Sequence, residues 1–113
     1  MGFTLRTVRG RVEMSPVTSS GVGRILSAAE QAGLDVHRQR RRTWDMPEGR
    51  EGVTASLAES LSSNDGWWIR PDEAANLAAE LPVVAALSDD PAFVLEAARF
   101  FAIAARSGGL YVL

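Results

Sequence analysis

The chain contains no cysteine and no lysine, and all twelve of its basic residues are arginine. The first absence excludes thiol catalysis, disulfides and thiolate metal ligands. It leaves the compartment open, because cytosolic proteins manage without disulfides. The second excludes a P-loop, a Schiff base and a lysine general base. The single histidine, His37, cannot assemble a zinc site of the usual nitrogen and sulfur ligands within one chain. No serine stands in a G-x-S-x-G elbow, and His37 would have to be the base for any nucleophile. With no constellation of acid, base and nucleophile, the sequence predicts no enzyme, no metal and no cofactor. Long apolar runs are absent too. None approaches the ~18 residues that span a bilayer, and Arg6 and Arg9 stand where a signal peptide needs its apolar region. The expectation is a cytoplasmic protein with no membrane partner. The Met-Gly start lacks the Ser or Thr of a myristoylation pattern, having Arg6 there.

What is present suits one folded unit. At 113 residues, the chain has the usual size of one domain and can bury roughly two-thirds of its unfolded surface. A single α+β domain over residues 1–113 is expected. The formal charge of −2 argues against a dedicated nucleic-acid binder unless the arginines gather on one face.

The stretch Asp65 to Leu81 organises the rest. Asn64-Asp65-Gly66 is turn chemistry, since these residues accept the left-handed region. Trp67, Trp68 and Ile69 suit a pleated surface, and Pro71 pushes Arg70 to an extended backbone. Pro71 fits the first helical position, and Asp72 and Glu73 place negative charge at the positive end of the helix dipole. Ala74, Leu77, Ala78 and Leu81 recur every three or four residues as one apolar stripe, and Pro82 is expected to break or restart the helix. Arg70 falls at the N-cap in place of Ser, Thr, Asp or Asn, a loss of about 1 kcal/mol.

Elsewhere, Phe3 to Val8 and Arg11 to Met14 alternate about Arg9-Gly10, predicting a hairpin or one long edge strand that ends before Ser15-Pro16. Ser19 or Ser20 caps a helix carrying Val22, Ile25, Leu26, Ala29 and Ala32, which stops at Gly33. Gly21-Val22-Gly23 does not complete a dinucleotide fingerprint and reads as a flexible helix start. Asp45 to Gly52 reads as a polar loop and is the segment expected to move. Val53, Leu57, Ala58 and Leu61 mark a short helix that Ser60, Ser62, Ser63 and Asn64 dissolve. Asp90 caps a core helix from Pro91 that carries Phe93, Val94, Ala97, Phe100, Phe101 and Ala104 and ends at Gly108-Gly109. Leu110 to Leu113 is expected to pair with the N-terminal or the Trp67 strand. The expected fold is a small antiparallel sheet with three to four helices packed mainly on one face.

Two stretches carry a resemblance. Pro71, Glu73, Ala74, Leu77, Ala78 and Leu81, then Phe101, Ala104, Gly108, Gly109, Tyr111 and Val112, are similar to a pattern in uncharacterised small actinobacterial proteins. Arg70 departs from its capping Ser or Thr. The resemblance covers roughly the C-terminal half and implies no activity.

Two candidate contact regions remain. The segment Leu34 to Trp44 is the most basic, and reads as a strand or an irregular connection. As a strand it would set Arg38, Arg40 and Arg42 on one face with Val36 and Trp44, a surface for phosphates or for a partner's carboxylates. A solvated strand edge, protected by charge, explains the same residues. Neighbouring strand residues point to opposite faces, so either one of Trp67 and Trp68 is an exposed anchor or helices cover both. Binding is therefore expected through Arg38, Arg40, Arg42, Trp44, Trp67 and Trp68. The partner expected is another protein, and an immunity, antitoxin-like or phage-related accessory role fits the size and chemistry. A homodimer through the terminal strand or Trp68 is a further reading, as is a nucleic acid held by the arginine segment 38–44.

Overall fold

The computed structural model describes residues 2–38, 56–62 and 67–113. Their order is β1 (Gly2–Thr7), β2 (Glu13–Thr18), α1 (Ser19–Gln31), α2 (Leu57–Leu61), β3 (Trp67–Ile69), α3 (Pro71–Val84), a 3-10 turn (Ala85–Leu87), α4 (Pro91–Ala105) and β4 (Leu110–Val112). The strands form one antiparallel sheet in the order β2-β1-β4-β3. The fold is α+β, as predicted, and β4 pairs with both of the strands proposed for it.

Register sorts the side chains into two faces. Leu5 pairs with Met14 and Val112, and Val112 with Trp67. Leu5, Met14, Val112 and the neighbouring Ile69 and Leu110 are buried under the helices. The next row, Glu13, Arg6, Tyr111 and Trp68, faces the other way. There Arg6 Nε donates to Glu13 Oε1 at 2.9 Å, and the Thr4 and Ser15 hydroxyls share a hydrogen bond of 2.8 Å. Apolar residues on one face and cross-strand polar pairs on the other are what a sheet covered on one side requires.

The hairpin does not close on Arg9-Gly10 alone. Thr7 N–H donates to the Val12 carbonyl at 2.9 Å, and Gly10 and Arg11 both have positive φ. The buried Thr7 hydroxyl donates to the Arg9 carbonyl at 2.7 Å and accepts from Val12 N–H at 2.9 Å. Thr7→Val keeps the shape and strands that N–H. A loss of about 1–2 kcal/mol is expected in urea denaturation, and an unchanged midpoint would show the bond to be dispensable.

Four expectations are corrected. Strand β2 does not end before Ser15-Pro16 but runs on to Thr18, with a cis Ser15–Pro16 bond. Between the pairs Phe3–Val17 and Leu5–Met14, both Ser15 and Pro16 face Thr4, so a bulge on an edge strand absorbs the proline. The cap of α1 is Thr18, whose hydroxyl accepts from Gly21 N–H at 3.0 Å, so the helix begins one residue before the expected caps allow. Pro82 does not break α3, which continues to Val84. Pro82 is exposed, so water can satisfy the backbone carbonyl its ring leaves without a partner. Ser60 does not dissolve α2 but is buried inside it, its hydroxyl donating to the Ser56 carbonyl at 2.9 Å.

Other terminal signals act as read. Asp90 Oδ1 accepts from Phe93 N–H at 3.2 Å at the start of α4. Gly33, at φ 91°, ends α1 with N–H groups of Gly33 and Leu34 returning to Glu30 and Ala29. The missing cap at Arg70 is offset from inside the helix, because Glu73 Oε1 accepts from Arg70 N–H at 3.1 Å. Asn64-Asp65-Gly66, Val53 and the loop from Asp45 to Gly52 lie outside the described residues.

Candidate functional site

The strand β3 puts the two predicted tryptophans on opposite faces of the sheet, and both are half-buried. Trp68 donates its indole N–H to the Gly108 carbonyl at 3.0 Å, so its ring is tied to the loop before β4. Trp67 lies with Leu5 and Val112, and its buried indole N–H has no hydrogen-bond partner among the described residues. Each ring is thus partly packed and partly open to solvent.

The basic segment is described only as far as Arg38. Residues 34–38 form no strand: Val36 is buried, its carbonyl accepting from Ala58 N–H at 2.9 Å, while Arg38 is exposed. Val36 and Arg38 therefore do not share the face that a two-residue period assigns them, because a turn lies between them. Arg40, Arg42 and Trp44 lie outside the described residues. His37 is exposed, its Nε2 standing 3.6 Å from Glu30 Oε1. No group of three His, Cys, Asp or Glu side chains among the described residues could hold a metal ion.

A different surface emerges at the end of α3. Pro82, Val83, Ala86 and Leu87 are all exposed, while Leu81, Val84 and Ala85 turn inward. Val83 is 75 % exposed and Leu87 69 %, the highest values among the large hydrophobic residues described. The spacing of one and four positions makes this a single apolar face.

Beside it, Leu87 forms one rim of a groove of about 360 Å³ against α1. Its walls are polar: Ser20, Ser27 and Gln31 on α1, and Ser88 and Asp89 beyond the 3-10 turn. Across it Arg24 Nε donates to Asp89 Oδ1 at 2.8 Å. That hydrogen bond holds the Asp89 carboxyl below its ordinary range and raises the Arg24 guanidinium. Both groups are at the surface, so the pair contributes little to stability. At α3, partial burial pushes the Asp72 carboxyl up, but the hydrogen bond and charge of Arg70 outweigh it and leave the value lowered.

Sequence reasoning missed this face. The only signal was that residues 82–87 stay apolar beyond the stripe that the core uses. The molecule is thus a small α+β domain whose described surface carries an apolar helix end next to a polar groove. The chain matches no protein-family model, no curated protein and no solved structure.

Proposed function

We propose that the protein is a non-catalytic binding protein that acts through contact with another protein. The observation that carries this reading is the exposed apolar face of Pro82, Val83, Ala86 and Leu87. Large aliphatic side chains left in water side by side mark contact surfaces, because covering them releases ordered water at little entropic cost. The adjoining Arg24–Asp89 pair supplies a polar rim that selects among apolar partners. Immunity, antitoxin-like and phage-related accessory proteins act by such stoichiometric contact, and we propose a role of that kind for this chain.

The test is capture from the source lysate with the purified protein, beside a bait carrying both Val83→Asp and Leu87→Asp. One stoichiometric protein should survive a high-salt wash on the first bait and be reduced ten-fold or more on the second. Both positions are exposed, so folding should be unchanged. Nucleic acid retained at low salt and released at high salt, with no protein partner, would move the function to the arginine segment, since phosphate binding depends on counterion release.

A further inference from the structure

The outer edge of β2 and the flank of α4 enclose a second groove, of about 410 Å³. We propose that this groove binds an extended peptide segment of a partner protein, added to the sheet as an antiparallel strand beside β2. The inference is independent of the apolar face at Val83 and Leu87.

The backbone supplies the first half of the argument. Among the described residues, strand β2 is an edge of the sheet. In an antiparallel ladder alternate residues direct their N–H and C=O groups to the same neighbour. Thr7 and Val12 are a hydrogen-bonded pair, so Leu5 and Met14, two residues along, are another. Pairing of Thr4 with Leu113, at 3.2 and 2.8 Å, gives the same alternation, with even-numbered residues of β1 bonded to β4. Glu13 therefore turns its backbone groups outward, into the groove that it lines with Ser15 of the bulge. Pro16 has no N–H, which ends the ladder there and limits an added strand to a few residues.

The side chains supply the second half. Val12, Met14, Phe93, Phe100 and Ile103 line the groove and provide apolar contact for side chains that point from the added strand toward α4. A strand presented only with backbone groups would be a general aggregation hazard, and an apolar wall beside it selects particular side chains. Charge sets the order of side chains along that strand. Glu96 and Arg99 stand on the α4 wall, and neither makes an ion pair or hydrogen bond among the described residues.

Helix α4 runs antiparallel to β2. Phe93 lies at the Val17 end, where a Cβ on Gly21 would meet both side chains, and Ser107 accepts from Arg9 N–H beside the hairpin turn. A peptide antiparallel to β2 consequently passes Glu96 before Arg99. The segment recognised has apolar residues in alternation, with a basic side chain preceding an acidic one.

The experiment is selection of phage-displayed random heptapeptides on the folded protein and, in parallel, on a Glu96→Arg, Arg99→Glu double variant. Both substitutions are exposed, so the fold should persist. Enriched peptides should alternate apolar residues and place basic before acidic on the wild type, with the order reversed on the variant. A synthetic copy of the most enriched peptide should shift the amide resonances of Glu13 and Ser15. Methylating its β2-facing amide nitrogens should weaken it ten-fold or more. No enrichment, or peptides insensitive to the charge swap or to methylation, would overturn the proposal. Peptides that bind instead at Val83 and Leu87 would overturn it while leaving the protein-binding reading intact.

Discussion

Gly109→Ala should destabilise the protein by about 3–5 kcal/mol, because two separate penalties fall on one methyl group. Gly109 has φ 88°, a conformation that L side chains rarely adopt. Its added Cβ would overlap the Ile69 carbonyl oxygen and lie 2.8 Å from Trp68 Nε1. Ile69 pairs with Leu110, so the methyl group strikes where β3 joins β4. Neither obstacle is the free end of a flexible side chain: one is backbone, and the other is a ring held by the Gly108 carbonyl. Relief requires β3 to move. The control is Gly33→Ala, where φ is 91° but nothing lies within 4 Å of the new Cβ. Strain alone acts there, and a loss of about 1–2 kcal/mol is expected. Thermal denaturation of the two variants separates the terms. Equal losses would show that the close approach to β3 is not what requires glycine at position 109.

Phe101→Ala should remove about 3–5 kcal/mol, a large part of the 5–15 kcal/mol that holds a domain together. Phe101 is the largest fully buried side chain among the described residues, and it meets Phe100 edge-on with ring centres 5.9 Å apart. Truncation loses the transfer of the ring from water and leaves a cavity between α4 and its neighbours. Leu95→Ala on the same helix removes a side chain that is 39 % exposed, and should cost under about 1 kcal/mol. Urea midpoints should separate the pair, with unchanged slopes showing that the unfolded state is the same. A Phe101→Ala loss below 1 kcal/mol would mean that the core closes over the gap.

These residues show what a sequence can and cannot reveal here. The starts of α3 and α4 were legible because their signals are local: Pro71 with Asp72 and Glu73, and Asp90 with Pro91. The apolar stripe through Ala74, Leu77 and Leu81 was legible for the same reason. Pro16 and Pro82 misled because their effect depends on surroundings. One lies in an edge-strand bulge and the other on a solvent-facing turn, where a missing N–H matters little. The candidate sites were less legible than the fold. That Trp67 and Trp68 face opposite ways follows from the strand period, but their half-burial depends on β4, which is distant in sequence. Whether the apolar residues at positions 82–87 are covered depends on which helix packs against them, and period and propensity do not specify that. The groove between β2 and α4 combines residues 12–16 with residues 93–103, and no local pattern announces the pairing.

The strand order has a kinetic consequence. Strand β4 sits in the middle of the sheet, between β1 and β3, and joins Leu5 to Val112. The β1–β2 hairpin can form early from neighbouring residues, but the sheet's centre closes only after the long loop from Leu5 to Val112, the kind of contact that slows folding. While a ribosome is still making the chain, β1 therefore presents an open inner edge, and the apolar faces of the helices have no finished sheet to cover. Until β4 emerges, that edge and the apolar side chains it will cover stay open to other chains, the kind of exposure that favours aggregation.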